Sequence, residues 1–321
     1  MSAPTIIIGA GIAGLMLARR LAAAGETVVL LDKSRGVGGR MATKRLAGAV
    51  FDQGAQFFTA RDSAVAALAA EWAAAGLIRD WGGAEHPRYV SPTGMTAVPK
   101  HLAEGLDLRR EHKALAVRRG GVGWVVELEN RPPLTAARLV LTAPVPQALA
   151  LLAAGDVALP PPLAAELAAL DYHPCLALLL ALDGPAAVPP GGVAPADGPL
   201  RWLADNTAKG ISPGPGSALT VHTTPEFARA HYQASETEVL ALLGPALAPW
   251  LGGARPRTVG LHRWHYSEPR HTFRAPCLWL PEWQLGLAGD AFGGPKVGGA
   301  ILSGLALAAA LGLPAAARPK I

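Results

Sequence analysis

The chain opens on a short, almost wholly apolar run, Thr5-Ile6-Ile7-Ile8, followed at once by glycine. Residues 15–24 carry apolar positions at helical spacing, and Gly25 supplies the stop. Residues 26–31 give a second apolar strand that ends at Asp32. Continuously apolar strands joined by a helix predict a parallel βαβ unit, because a parallel sheet is covered on both faces. Residues 63–75 read as a helix, 99–104 as a helix start, and 108–117 and 122–129 as strands around Gly120-Gly121. Residues 138–142 form a strand that returns to the first sheet. In the second half, strands are expected at 175–182, 200–203, 218–223 and 256–264. Helices are expected at 163–170, 226–232 and 236–243. The strand 285–290 ends in a carboxylate, and a helix at 299–311 is closed by Gly312 and Pro314. The pattern predicts an α/β fold (α+β overall) with a Rossmann-like parallel-sheet domain and a second, mixed-sheet substrate domain. The first domain is expected at 1–60, 92–155 and 258–321, the second at 61–91 and 156–257.

A length of 321 residues suits about two domains. With 50% hydrophobic and 17% charged residues, the chain can bury a large core. The net charge of +5 favours anionic small molecules and nucleic acid alike. Yet the basic residues form only pairs, Arg109-Arg110 and Arg118-Arg119, which read as solvated surface. No nucleic-acid partner is expected. Cys175 and Cys277 have neither metal nor redox-motif spacing, so no metal site is expected and both thiols are read as free. The apolar residues 5–18 hold three ordered glycines and are preceded by no Lys or Arg, unlike a leader. No apolar stretch approaches the ~20 residues that span a bilayer. A cytoplasmic protein without a membrane partner is the expectation.

Three motifs carry the chemistry. Gly9-x-Gly11-x-x-Gly14 follows a strand and opens a helix, with Asp32 placed 18 residues beyond Gly14. In that setting Gly9 makes the turn, Gly11 admits a pyrophosphate to the helix N-terminus beside Ile12 and Ala13, and Gly14 permits close helix–strand packing. Asp32, with Lys33 beside it, is assigned to the adenosine ribose. The second motif, Arg35-Gly36-Val37-Gly38-Gly39-Arg40-Met41, has no evident use in a plain NAD dehydrogenase. Arg35, Gly39, Arg40 and Met41 are expected along an extended FAD, meeting its pyrophosphate and flavin edge. Gly54, Ala55, Gln56 and Phe57 follow, with a close backbone approach suited to a flavin ring. The third motif is Gly289-Asp290, followed by a Gly-rich turn that includes Gly298 and by a helix whose opening turn holds Ala300. Its carboxylate suits the ribityl hydroxyls, and the helix N-terminus suits a reduced, anionic flavin.

The ensemble resembles the flavin amine-oxidase superfamily. Within it, residues 38–43 and 51–59, Arg201-Trp202 with Asp205-Asn206, residues 221–224 and residues 262–267 are similar to the bacterial renalase-like family. The resemblance implies FAD, with Ala114 near the adenine; the C-terminal motif holds no cysteine, Cys277 lying earlier, so noncovalent binding is expected. It also implies an oxidase that returns 2- and 6-dihydro isomers of NAD(P)H to NAD(P)⁺, with dioxygen reduced to hydrogen peroxide. The partners are then a dinucleotide substrate and dioxygen; the oligomeric state is left open. Residues 291–294 offer one ring where an amine oxidase carries a paired aromatic cage. An amine oxidase or desaturase of the superfamily and a non-catalytic flavin-binding protein are the competing readings.

Oxidation of such a dihydronicotinamide yields an aromatic pyridinium and needs no base to take a proton from carbon. Positioning and electrostatics suffice. Asn206, His222, Trp264, Tyr266 and Lys296 are the candidate substrate-side residues. Trp264 and Tyr266 share one face of a strand and either wall a nicotinamide or pack in the core. Asn206 either holds a carboxamide or caps a turn, His222 is either a ligand or a satisfied core histidine, and Lys296 is either near the flavin or solvated. Arg201 and Arg263 either serve a pyrophosphate or form surface pairs.

Overall fold

Ile6, Ile7 and Leu30 are shielded from solvent on both faces, as their sequence requires of central parallel strands. The computed structural model describes residues 3–82, 86–121 and 123–313. The chain forms two compact units: Met1–Gly39 with Pro99–Asp171 and Pro269–Ile321, and Arg40–Val98 with Tyr172–Glu268. Residues 156–171, expected with the second unit, group with the first, and residues 40–60, 92–98 and 258–268, expected with the first, group with the second. There the hairpin Thr43–Leu46 and Ala49–Asp52 packs Ala49 and Phe51 against Leu179 and Ala218.

The first unit is an α/β fold built on a six-stranded sheet. Its order is Leu278–Leu280, Leu285–Leu287, Arg138–Leu141, Thr5–Ile8, Val28–Leu31, Asp107–Arg109. All neighbours run parallel except the edge strand Leu278–Leu280. From Thr5–Ile8 the chain winds outward through Val28–Leu31, then crosses to Arg138–Leu141 on the opposite side. Such a reversal of winding leaves a crevice at the carboxyl ends of the central strands, where dinucleotides bind. The expected strand over 108–117 is broken: Asp107–Arg109 joins the parallel sheet and Ala114–Gly120 a separate antiparallel one, with Glu111 between them at φ +55°. In place of 122–129 the strand is Gly123–Leu128, and Val122 lies outside the described residues. It pairs with an unexpected strand, Arg131–Ala136, whose two prolines hid it. The helix Val145–Ala154 was hidden in the same way, since Pro146 sits in its first turn, where a missing N–H is harmless.

The second unit centres on a four-stranded sheet in the order Leu200–Asp205, Ala218–Thr223, Tyr172–Leu182, Pro256–Pro269. The first three strands are antiparallel. Alternate residues of the long strand, Leu176, Leu178, Leu180 and Leu182, face a core closed by Val239, Leu243 and Leu247 of the helix Glu236–Leu247. The other face carries Leu179 under the hairpin. Further along the sheet, His222 lies opposite Ala177 on one side and Trp202 on the other. Among the described residues no helix is long and apolar enough to cross a membrane.

Candidate flavin-binding site

In the first unit the site grows from three adjoining strand ends. Gly9 follows Thr5–Ile8 at φ +114°, and a Cβ there would lie 2.5 Å from Thr142 Oγ1. Thr142, which ends the neighbouring strand, donates that hydroxyl to the Gly9 carbonyl at 2.9 Å. Thr142 was not singled out in the sequence, because a strand-end threonine has no pattern of its own. Gly14 is fixed by packing, since a Cβ would lie 2.3 Å from the Gly9 carbonyl oxygen. Gly11 differs from both. Its φ of −76° suits any residue and a Cβ would meet no protein atom within 4 Å. The chain itself does not require glycine there, whereas a ligand approaching the backbone does. Gly11 is the N-cap of the helix Ile12–Ala23, which has no side-chain cap and no acid in its first turn, so its positive end suits a phosphate.

Asp32 does more than the ribose assignment asks. One carboxylate oxygen accepts the Ala10 amide at 2.8 Å and the other accepts the Ser34 amide at 2.8 Å. It therefore braces the glycine turn, and a carboxylate with about four acceptor sites keeps room for ribose hydroxyls. Lys33 and Arg35 beside it are exposed. The Gly38 amide donates to the Ala10 carbonyl at 2.9 Å, and a Cβ on Gly39 would lie 3.8 Å from Gly11 Cα. Thus the second glycine segment lies against the first. Ala114 begins the strand Ala114–Gly120 and is half-buried.

Gly289 has φ +153°, and its amide donates to Ser303 Oγ at 2.9 Å. Asp290 is buried. The following helix starts earlier than expected, spanning Lys296–Ala310, so Gly298 and Ala300 lie in its opening turns. Glycines allow that start: a Cβ on Gly299 would lie 1.8 Å from the Gly294 carbonyl oxygen. Lys296 is exposed and held at φ +81°, a region a side chain seldom enters without a functional or structural demand.

In the second unit, the Gly54 approach is made by the protein itself. A Cβ there would lie 2.0 Å from the Arg40 carbonyl oxygen and 3.3 Å from the Trp264 ring. Ala55 donates its amide to the same carbonyl at 2.8 Å. Arg40 stacks over Tyr172 at 6.0 Å, and Met41 is buried. Tyr266 packs edge-on against Tyr172 at 5.5 Å. Trp264 Nε1 donates to the Gln53 carbonyl at 3.0 Å, and His222 Nε2 lies 3.2 Å from the same oxygen. Burial holds the His222 imidazole down at about 4, with the charges of Arg201 and Lys209 acting in the same direction and the Gln53 carbonyl against it. It is neutral at physiological pH, with Nε2 as the donor.

Asn206 is enclosed at 0% exposure. Its Oδ1 accepts the Asp52 amide at 3.2 Å, and its Nδ2 donates to the Ala218 carbonyl and Thr220 Oγ1, both at 2.9 Å. Its amide is thus engaged by the chain rather than offered outward. Gln56 is likewise buried, with Oε1 accepting from Lys209 at 3.1 Å. Phe57 packs on Trp202 at 5.4 Å. Arg201 pairs with Glu268, and Arg263 donates to the Tyr232 and Ala234 carbonyls, so both have partners at the surface. Gln53 and Lys209, which organise this region, were assigned no role from the sequence, because neither has a spacing pattern of its own.

The parallel sheet, glycine turn and paired strand-end motifs define a dinucleotide-binding flavoprotein. Residues 73–312 match the model of the flavin containing amine oxidoreductases, and residues 7–72 match an NAD(P)-binding Rossmann-like domain. The chain belongs to the flavin-containing amine oxidoreductase family, and its cofactor is FAD. Over 66 residues it is 42% identical to the putrescine oxidase of Kocuria rosea, a match covering 21% of this chain and only 14% of that relative. Among solved structures it resembles one described as "Putative protoporphyrinogen oxidase" from Exiguobacterium sp. 255-15. The TM-score is 0.76 at 15% identity, covering 97% of this chain and 99% of that one. It also resembles wild-type putrescine oxidase bound to putrescine, with TM-score 0.69 at 16% identity, covering 97% and 99%.

Proposed function

We propose that the protein is a renalase-like oxidase that converts 2- and 6-dihydro isomers of NAD(P)H to NAD(P)⁺. FAD, when bound, would supply the hydride-accepting chemistry, with dioxygen as the final electron acceptor and hydrogen peroxide as the reduced product. The glycine turn and the first helix would hold its diphosphate, Asp32 and Lys33 its adenosine end, and Arg35, Gly39 and Arg40 its middle. Gly289-Asp290 of the first unit is assigned to the flavin end, and the segment 54–57 of the second unit is separately assigned to the flavin.

The observation that carries this reading is the Gln53 carbonyl shared by Trp264 and a neutral His222. A substrate that becomes a pyridinium on losing hydride gains positive charge, and an uncharged aromatic wall accommodates it where a cationic wall would oppose it. His222 has its Nε2–H directed at the Gln53 carbonyl, and burial makes its other ring nitrogen a poor base, so it orients rather than takes a proton. Trp264 and Tyr266 provide ring faces for a flat heterocycle. We assign Lys296, exposed on its strained backbone, to anionic groups of the ligand, and give Asn206 a supporting role. Two free cysteines accord with a cytoplasmic setting.

The test is anaerobic mixing of the holoenzyme with NADH aged to contain its 2- and 6-dihydro isomers. Rapid bleaching of the flavin band by the isomers, and not by ordinary NADH, putrescine or benzylamine, is the expected result. Bleaching by amines alone would move the protein to the amine oxidases proper. Bleaching by none of them would sink the dihydronicotinamide reading.

A further inference from the structure

We propose that the buried Lys209–Asp52 pair is a positioning device for residues 53–57. The inference rests on assigning that segment to the flavin, as above, but not on the identity of the substrate. Both side chains are at 0% exposure, with Nζ 3.1 Å from Asp52 Oδ2. The other contacts of Nζ are Gln56 O at 3.0 Å and Gln56 Oε1 at 3.1 Å, so all three ammonium hydrogens have acceptors. The second Asp52 oxygen accepts Thr43 Oγ1 at 2.7 Å and the Met95 amide at 2.8 Å. Gln56 Nε2 turns back onto the Gly54 carbonyl at 3.1 Å and onto the Asp52 carbonyl. The polar atoms of this cluster therefore clamp the backbone on either side of Gln53, whose carbonyl orients Trp264 and His222.

Lysine is rarely enclosed completely, and a buried ion pair is weak evidence of stability because apolar replacements often serve as well. What the pair does supply is direction, since each of its bonds fixes one atom of the 52–56 segment. Through Trp81, Lys209 also borders Phe57, the last residue of 53–57. Its Nζ lies 4.9 Å from the centre of the Trp81 ring, which packs on Phe57 at 6.5 Å.

The test compares the wild type with D52N/K209M, which removes both charges together at nearly constant volume, and with Q56L, which keeps the ion pair and removes the amide clamp. Three quantities are measured: thermal melting of the apoprotein, the FAD dissociation constant, and the visible flavin band of the saturated protein. The expected result is a cooperative melt in each variant, an FAD dissociation constant raised about tenfold, the scale of a lost orienting contact, and a saturated flavin band shifted toward that of free FAD. A lower melting temperature with an unchanged saturated band means a merely structural pair and overturns the proposal. So does an unchanged dissociation constant and band. If D52N/K209M does not fold, Q56L decides by the same readouts. These readouts use no substrate, so failure of the dihydronicotinamide reading leaves them intact, whereas a wild type that takes up no FAD removes the assignment itself.

Discussion

At the scale of single residues, glycines with the same place in a motif have different physical reasons. A methyl group on Gly14 would collide with the Gly9 carbonyl oxygen, whereas one on Gly11 would meet nothing in the protein. Gly14→Ala should therefore destabilise the apoprotein by about 1–3 kcal/mol through overpacking. Gly11→Ala exchanges a better N-cap for a stiffer unfolded chain, two opposed effects that leave apoprotein stability within about 1 kcal/mol. Its methyl group instead obstructs the diphosphate, and a clash of about 1–3 kcal/mol weakens FAD binding roughly five- to 150-fold. Urea unfolding of both apoproteins and FAD titration check the contrast; equal effects of the two substitutions would refute it. His222 gives a second residue-scale prediction. Its folded value of about 4 lies below the ordinary histidine value of 6.5, so between them the unfolded chain binds more protons and stability rises with pH. The contribution is complete above about pH 6.5 and is lost as pH falls toward 4, amounting to about 3 kcal/mol at most. In urea melts between pH 7 and pH 4, H222Q should lose less stability than the wild type over that window. An identical slope would show that His222 does not stay neutral in the fold.

At the scale of elements, apolar runs and glycines made the first unit legible. Thr5–Ile8, the helix after Gly11, Val28–Leu31 and Leu285–Leu287 each bury a continuous or periodic apolar set, which is a local property of the sequence. Arg131–Ala136 and Val145–Ala154 were not legible because proline reads locally as a breaker, while an edge strand and a helix's first turn both tolerate it. In the candidate site, Gly11 and Asp32 follow from spacing. The Gln53–His222–Trp264 and Lys209–Asp52–Gln56 contacts join residues more than 150 positions apart, which no single-sequence pattern encodes. The final helix shows how element packing bears on the site. Lys296–Ala310 buries Val297, Ala300, Ile301, Gly304, Leu307 and Ala308 along one face. At Gly304 a Cβ would lie 2.5 Å from the Ala13 carbonyl oxygen, so this helix meets Ile12–Ala23 backbone to backbone. Gly304→Leu gains about 1 kcal/mol of helix propensity and loses more by overpacking, for a net destabilisation of about 2 kcal/mol. Because the contact is at Ala13, in the first turn above the proposed diphosphate site, FAD affinity should fall with it. Apoprotein melting and FAD titration on one sample test both; a variant as stable as the wild type would mean the two helices part without cost.

At the scale of the whole molecule, the question is how the flavin is retained. Attachment through sulfur requires a thiolate, because the protonated thiol is a poor nucleophile. The structure disfavours thiolates at both cysteines: burial pushes the Cys175 thiol up to about 11, and burial also raises that of Cys277. FAD should then be held only by the backbone turns, the helix N-terminus and the carboxylates described above. Noncovalent retention has a thermodynamic signature, since a ligand bound only by the folded state adds about 2.7 kcal/mol at a hundredfold excess over its dissociation constant. The melting temperature should climb with FAD concentration after the protein is saturated, which a covalently loaded protein would not do. Acid precipitation of the purified holoenzyme gives the direct reading. Denaturation destroys every contact that retains the cofactor, so the yellow colour should pass entirely into the supernatant. A pellet that stays yellow after washing, with a melting temperature indifferent to added FAD, would require a covalent link through some other side chain.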